Sequence, residues 1–222
     1  MVEQIAANLS GRRLGHPHRV GVDGLVGAGK SVFARELVAA LRAHGRQAVH
    51  LDSDGFHHPR AIRYRQGRDS ARGYYEDAYD LEALADRVLR PLGTPGSSTY
   101  AMRVHDMSTD ETISGATATA DCDAIIVFDG TFLQRGQLRE LWDDVIWLEV
   151  DRATALARGA ARDAVSLGGE AAAFAAFASR YMAACDLSTI EERPAERASI
   201  VIEHTDPMAP RVIRLPGEPA SD

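Results

Sequence analysis

The sequence predicts an α/β protein, a parallel sheet covered by helices on both faces. Three observations predict it. Arg19–Asp23 reads as a short strand that runs through a glycine-rich loop into a helix over Lys30–His44. Ala124–Phe128 and Val145–Val150 are continuous apolar runs of the length that suits strands buried on both faces. Helical stretches lie between such strands, and this alternation with short turns makes a parallel sheet whose ligand sits at the carboxyl ends of its strands.

Taken in order, Met1–Ser10 carries Val2, Ile5 and Leu9 at helical spacing and reads as a short surface helix within an N-terminal arm, 1–18. The Lys30–His44 helix turns Phe33, Leu37, Val38 and Leu41 to one face and stops at Gly45. Gln47–Leu51 is a second strand, ending in Asp52 and Asp54. Asp80 caps a helix over Asp80–Leu92 that faces Leu81, Leu84, Val88 and Leu89 inward. Tyr100–Asp106 and Glu111–Ser114, joined by a turn at Met107–Asp110, suit a small hairpin or flap. A helical stretch around Gln137–Trp142 separates the two apolar strands. Ala153–Asp163 and Glu170–Ala184 read as helices flanking a break at Leu167–Gly169, and Ser199–Ile202 as a final core strand.

The 222 residues suffice for one full core, and no repeat or biased linker divides them. The expected organisation is a single domain, 1–222, with substrate-side insertions at 55–79 and 97–115, a lid at 158–170 and a loose tail at 216–222. No apolar run approaches a membrane span, and a net charge of −7 disfavours nucleic acid and anionic lipid as partners. The N-terminus lacks the basic start and long apolar stretch of a secretion signal. Cys122 and Cys185 have neither disulfide-framework nor zinc spacing, so the expected compartment is the cytoplasm.

Gly24-Leu25-Val26-Gly27-Ala28-Gly29-Lys30-Ser31 satisfies GxxxxGK[ST], and Val32 continues it into the helix. Glycines let backbone N–H groups turn inward around phosphate oxygens at a helix start. Lys30, the chain's sole lysine, would reach the β- and γ-phosphates, and Ser31 would reach Mg²⁺. The expected fold is therefore of the P-loop NTPase type, and the expected ligands are ATP and Mg²⁺. Asp129 directly follows a buried strand, where a carboxylate can hold the cation, or serve as an Asp-Gly turn. Asp54 is placed to orient or deprotonate an acceptor hydroxyl or to cap its loop, with Asp52 on the metal side. Arg158 and Arg162, at i and i+4 before the Leu167–Gly169 break, suit a lid closing on the transferred phosphate or an exposed helix face.

These segments resemble the uridine kinase and phosphoribulokinase branch of P-loop kinases, which also holds type I pantothenate kinase. The carrying segments are VGVDGLVGAGKS (Val20–Ser31), LDSDGFHHPR (Leu51–Arg60), YYEDAYD (Tyr74–Asp80), STYAMRVHD (Ser98–Asp106), IIVFDGTFL (Ile125–Leu133) and ARGAARD (Ala157–Asp163). The resemblance implies that Asp54, in Asp54-Gly55-Phe56-His57, is the catalytic base, with Phe56 and His57 beside the acceptor. It also implies that Tyr100 and His105 face a nucleoside base, that Arg158, Arg162 and Asp163 form the lid, and that Arg180 before Tyr181 meets the substrate. The acid that holds ribose hydroxyls has no single counterpart: Asp77 and Asp80 lie nearby, and strict spacing lands on Tyr74. The lid continues as Val165, Ser166, Leu167, Gly168 and Gly169 where nucleoside kinases carry further arginines.

Arg60, Arg63, Arg65, Arg68 and Arg72 crowd beside the expected base. They suit a solvated face, a site for an anionic acceptor, or contact with donor phosphates or a partner subunit, which would make the protein a homo-oligomer. The expected function is ATP-dependent transfer of the γ-phosphate to a hydroxyl of a small metabolite. The resemblance favours a nucleoside, uridine or cytidine; pantothenate, a sugar or a sugar phosphate is the alternative. A nucleotide-binding switch is the non-enzyme reading. It needs an Asn/Thr-Lys-x-Asp segment, which a chain whose one lysine is Lys30 cannot contain.

Overall fold

The computed structural model describes residues 1–93 and 98–216. Ser97, at the start of the second expected insertion, and the expected tail from 217 onward lie outside the described residues. The strands are β1 (His18–Gly24), β2 (Ala48–Asp52), β3 (Thr99–Ala101), β4 (His105–Asp106), β5 (Glu111–Thr112), β6 (Thr117–Thr119), β7 (Ile125–Asp129), β8 (Asp144–Glu149), β9 (Ile200–Glu203) and β10 (Arg211–Arg214). The helices are α1 (Val2–Ser10), α2 (Lys30–Ala43), α3 (Arg60–Arg63), α4 (Ala71–Asp77), α5 (Leu81–Leu84), α6 (Arg90–Gly93), α7 (Arg152–Asp163), α8 (Glu170–Ala176), α9 (Met182–Glu192) and α10 (Pro194–Arg197).

The main sheet has the order β10-β9-β8-β1-β7-β2. Its first five strands in sequence, β1, β2, β7, β8 and β9, run parallel, and β10 adds antiparallel to β9 at the edge. Parallel register aligns the carboxyl ends: Val22 of β1 and Asp52 of β2 both lie opposite Asp129 of β7. The phosphate loop leaves β1 from that same rim.

Alternation along the strands divides the core into two layers. Ile125 and Val127 of β7 join Val20, Val22, Ile146 and Leu148 on the face covered by α1, α2, α4 and α7–α9. Ile126 and Phe128 join Val145, Trp147 and Val201 on the face covered by α5, α6 and the small strands. Helix starts follow their caps. Asp151 accepts from Thr154 N at 2.9 Å at the head of α7, Ser70 from Gly73 N at 2.9 Å at α4, and Asp80 from Ala83 N at 2.8 Å at α5.

The structure departs from the sequence expectations in six places. The N-terminal helix is a core element, since Ile5, Ala6 and Leu9 are fully buried and α1 packs on α2. The expected Asp80–Leu92 helix contains a π-turn at Ala85–Leu89, and a second π-turn at Phe177–Tyr181 joins α8 to α9. That long helix runs past Ala184 to Glu192, because only Arg193, in a left-handed conformation, and Pro194 interrupt it. The flap is split: β3 pairs with β6 and β4 with β5 around a turn held by the Asp106 side chain. The stretch around Gln137–Trp142 forms a 3₁₀ turn at Gly136–Glu140. Strand β10 had no buried alternating signal; Arg211 and Ile213 face solvent, so only pairing with β9 defines it.

Candidate active site

One cavity of about 700 Å³ opens at the carboxyl rim of the sheet. The phosphate loop forms its floor. Gly27 and Gly29 adopt φ of 88° and 93°, in the left-handed region that glycine tolerates. Gly27 also passes so close to α7 that a Cβ there would lie 2.1 Å from the Ala155 carbonyl oxygen. Lys30 begins α2, and its Nζ donates to the carbonyls of Gly24 and Leu25 at 3.0 and 2.9 Å. Burial lowers the Lys30 pKa, and Asp23 opposes that shift.

Asp23 is buried at the root of the loop. Its Oδ1 accepts from Gly24 N at 2.8 Å, while its buried Oδ2 has no hydrogen-bond partner. Burial pushes its carboxyl up to about 6, against the lowering field of Lys30.

Ser31 Oγ donates to Asp129 Oδ2 at 2.6 Å. Asp129 Oδ1 lies 2.5 Å from His50 Nε2, which fixes the carboxylate from the other side. Two adjacent hard oxygens at the loop fit Mg²⁺, whose remaining ligands would be phosphate oxygens and water. Among the described residues no group of three His, Cys, Asp or Glu side chains could hold a metal ion.

Across the cavity, exposed Asp54 has Oδ1 3.8 Å from His57 Nε2. The His57 side chain holds the Asp54 carboxyl below its ordinary range, with Arg162 and Lys30 pulling the same way. The carboxylate is therefore ionised and able to accept a proton or orient a hydroxyl. His57 is fixed by Nδ1 donating to the Ala78 carbonyl at 2.9 Å and by its ring 4.5 Å from that of Tyr79.

Solved structures with this architecture are P-loop kinases. A structure described as a possible uridine kinase from Bacillus stearothermophilus superposes with a TM-score of 0.71 at 26% identity, covering 90% of this chain and 96% of that one. A candidate fructose transport system kinase from Silicibacter gives 0.67 at 22% identity over 84% and 92%. D-glycerate 3-kinase from Cryptococcus neoformans gives 0.61 at 13% identity over 96% and 99%, which shows the shared fold. In fold the chain is similar to these P-loop kinases. No family model matches the chain, and no curated protein matches it significantly.

Within this P-loop kinase fold the expected site residues separate into two groups. Val26, Gly27, Gly29, Lys30, Ser31, Val32, Asp54, His57, Tyr74, Asp129, Arg158, Arg162 and Arg180 line the cavity. Gly24, Leu25 and Ala28 complete the loop beneath. Arg158 donates to the Thr205 carbonyl at 2.5 Å and Arg162 forks onto Asp163 at 2.7 Å, so both lid arginines are latched to the protein itself. Beyond them α7 ends in a turn where Val165 is 97% exposed and Gly168 and Gly169 have positive φ.

The other expected residues are placed elsewhere. Asp52 accepts from the backbone N–H groups of Asp54 and Gly55 and so caps the turn that carries Asp54, outside the cavity lining. Phe56 is in the core, 5.4 Å from the Phe128 ring. Tyr100 is buried on β3 among apolar side chains. His105 is buried with Nε2 3.2 Å from Asp110, and Asp77 is buried against Arg65 and Gln66. Asp80 caps α5. Asp52, Asp77, Asp80 and His105 each have an internal structural partner that strand and helix spacing does not reveal.

Sequence reading missed several residues of the site. His50 stands two positions before Asp52 and reads as an ordinary strand residue until β2 brings it beside Asp129. His204 is buried and contacts the Ala28 carbonyl through Nδ1 at 3.1 Å, bracing the loop from behind. Tyr64 and Tyr79 were also missed and line the cavity, together with Arg63 of the arginine-rich segment and Tyr181 beside Arg180.

Proposed function

We propose that this chain is an ATP-dependent kinase that transfers the γ-phosphate to a hydroxyl of a small metabolite. The observation that carries the reading is the juxtaposition, in one cavity, of a phosphate loop with its Ser31–Asp129 pair and an ionised Asp54 under the influence of Lys30 and Arg162. The solved structures that share its fold are described as kinases for different acceptors.

In this mechanism the loop N–H groups and Lys30 would hold the donor phosphates. Lys30 would exchange the Gly24 and Leu25 carbonyls for phosphate oxygens, a change that improves its charge balance. Ser31 and Asp129 would hold Mg²⁺, which neutralises charge on the transferring group. Arg158 and Arg162 would leave their internal partners as the lid closes, and Asp54 would align the acceptor hydroxyl and receive its proton. Positioning and charge stabilisation supply the rate in such chemistry.

A nucleoside acceptor is the reading that the resemblance favours. Its support is reduced by the burial of Tyr100 and His105 away from the cavity. A metabolite kinase of wider class agrees better with the lining. The two cysteines are free, in keeping with the cytoplasmic setting we propose. Among the described residues no helix is long and apolar enough to cross a membrane.

The test is Mg²⁺- and acceptor-dependent ADP release across a metabolite panel. Asp54→Asn is expected to lower kcat about 10²- to 10⁴-fold, the usual range for loss of a general base. Release indifferent to every acceptor, or unchanged in Asp54→Asn, would remove the proposal.

A further inference from the structure

The cavity carries guanidinium charge that the protein leaves unmatched. Building on the kinase reading, we propose that the acceptor is an anion: a small hydroxylated molecule bearing a carboxylate or phosphate group that Arg180 and Arg63 bind.

Arg180 sits in the π-turn Phe177–Tyr181, a local widening that redirects a side chain which a regular helix would aim elsewhere. Its guanidinium carbon lies 5.1, 5.0 and 5.6 Å from the ring centres of Tyr74, Tyr181 and Tyr64. Its one hydrogen bond to a side chain is Nη1 donating to Tyr181 Oη at 3.3 Å. Nε is buried without a partner, and among the described residues no carboxylate lies within ion-pair distance. Asp77 is engaged by Arg65 and Gln66, and Glu191 by Arg72.

Arg63 is 5% exposed, and its Nε is also buried without a partner. Its guanidinium meets Asp110 at 3.6 Å, but Asp110 also accepts from the Arg60 backbone and contacts His105. The Tyr64 ring connects the two arginines, with the Arg63 guanidinium 5.1 Å from its centre.

Aromatic faces stabilise a guanidinium but do not replace hydrogen-bond acceptors for its N–H groups. Leaving such donors desolvated and unpaired is unfavourable, and a planar fork matches a carboxylate or phosphate bidentately. The cavity lining as a whole holds Lys30, Arg35, Arg63, Arg158, Arg162 and Arg180 against the carboxylates of Asp54, Asp129 and Asp163. A Mg²⁺-nucleotide takes up Lys30 and the lid arginines. Arg180 is left to the acceptor, with Arg63 and its shared Asp110 beside it, and a neutral molecule would leave Arg180 without counter-charge.

The experiment uses three pairs of hydroxylated probes that share a scaffold: glycerol and D-glycerate, ribose and ribose 5-phosphate, uridine and uridine 5′-monophosphate. Mg²⁺-dependent ADP release is measured with each, and melting temperature is measured with each in saturating Mg²⁺-ADP so that the loop is already filled. One anionic member should exceed its neutral partner at least about tenfold in kcat/KM and raise the melting temperature more. The glycerate pair reports a carboxylate and the other two a phosphate. Arg180→Gln, at a half-buried position that can fold, should raise KM for that anion about tenfold to hundredfold with a smaller change in kcat, as loss of a charge-assisted contact does. Arg63→Lys should recover more of the affinity than Arg63→Gln. Equal or better use of the neutral members, or an unchanged KM in Arg180→Gln, overturns the anionic acceptor while leaving the kinase reading intact. Failure of all six probes to raise ADP release overturns the kinase reading on which it stands.

Discussion

Asp23 and Lys30 stand at the root of the phosphate loop, and burial acts on both. For Asp23 the folded pKa of about 6 lies above the ordinary carboxylate value of 3.8. A carboxyl raised on folding contributes stability below its unfolded pKa, and that contribution disappears as pH rises through the folded value. The unfolded chain ionises Asp23 near pH 4 while the folded chain still holds the proton, so this group makes stability fall between about pH 4 and pH 6. A shift of this size corresponds to about 3 kcal/mol. Asp23→Asn keeps the oxygen that accepts from Gly24 N and removes the titration. The difference in unfolding free energy between the variant and the unaltered protein should therefore grow in the variant's favour from pH 4 to pH 6.5, as read by urea denaturation. A constant difference across that range would show that Asp23 ionises normally. Asp54 behaves oppositely: His57 holds it low, so it stays ionised through the neutral range and is ready to act as a base.

At the scale of elements, the site depends on how closely helix α7 approaches its neighbours. Gly159 on α7 faces Phe177, and a Cβ there would lie 2.0 Å from the ring. Phe177 is fully buried and begins the π-turn that carries Arg180, so the ring has little space to yield. Gly159→Ala should cost about 1–3 kcal/mol through overpacking, measured by denaturation, and should shift Arg180. Helix α7 and the π-turn that carries Arg180 are thus joined through one glycine contact. Loop geometry follows the same logic, because Gly27 is both in a left-handed conformation and pressed against the Ala155 carbonyl.

For the molecule as a whole, the parallel sheet collects Gly24, Asp52 and Asp129 at one rim, and the two core layers hold that rim rigid. The first helix contributes to the layer behind the loop: Leu9 and Ile5 are fully buried and α1 packs against α2, whose first residue is Lys30. Leu9→Ala should lose about 2–5 kcal/mol of stability, the range for emptying a leucine site in a core, with KM for ATP unchanged because the helix lies behind the cavity rather than on it. A negligible loss would mean that α1 is dispensable to the core.

The strand–loop–helix of the phosphate site, the buried runs of β7 and β8 and the alternation that builds a parallel sheet were all legible in the sequence. Glycine spacing and apolar periodicity are local properties, and the chemistry of a phosphate loop lies in contiguous backbone. Asp54 and Asp129 were legible for a related reason, since each stands at the end of a strand whose direction the pattern determines. The tertiary structure decided which other side chains reach the cavity. Tyr100, His105, Phe56 and Asp77 were expected near the substrate by resemblance but are turned into the core by pairings between distant segments. His50 became part of the site only when β2 was set beside β7. Arg180 was expected at the substrate by resemblance alone; its half-buried guanidinium among three tyrosines depends on a π-turn that no local pattern announces. Spacing along a chain determines which face of an element a residue occupies, but the partner opposite that face comes from packing between segments far apart in sequence, and that packing set the charge of the acceptor site.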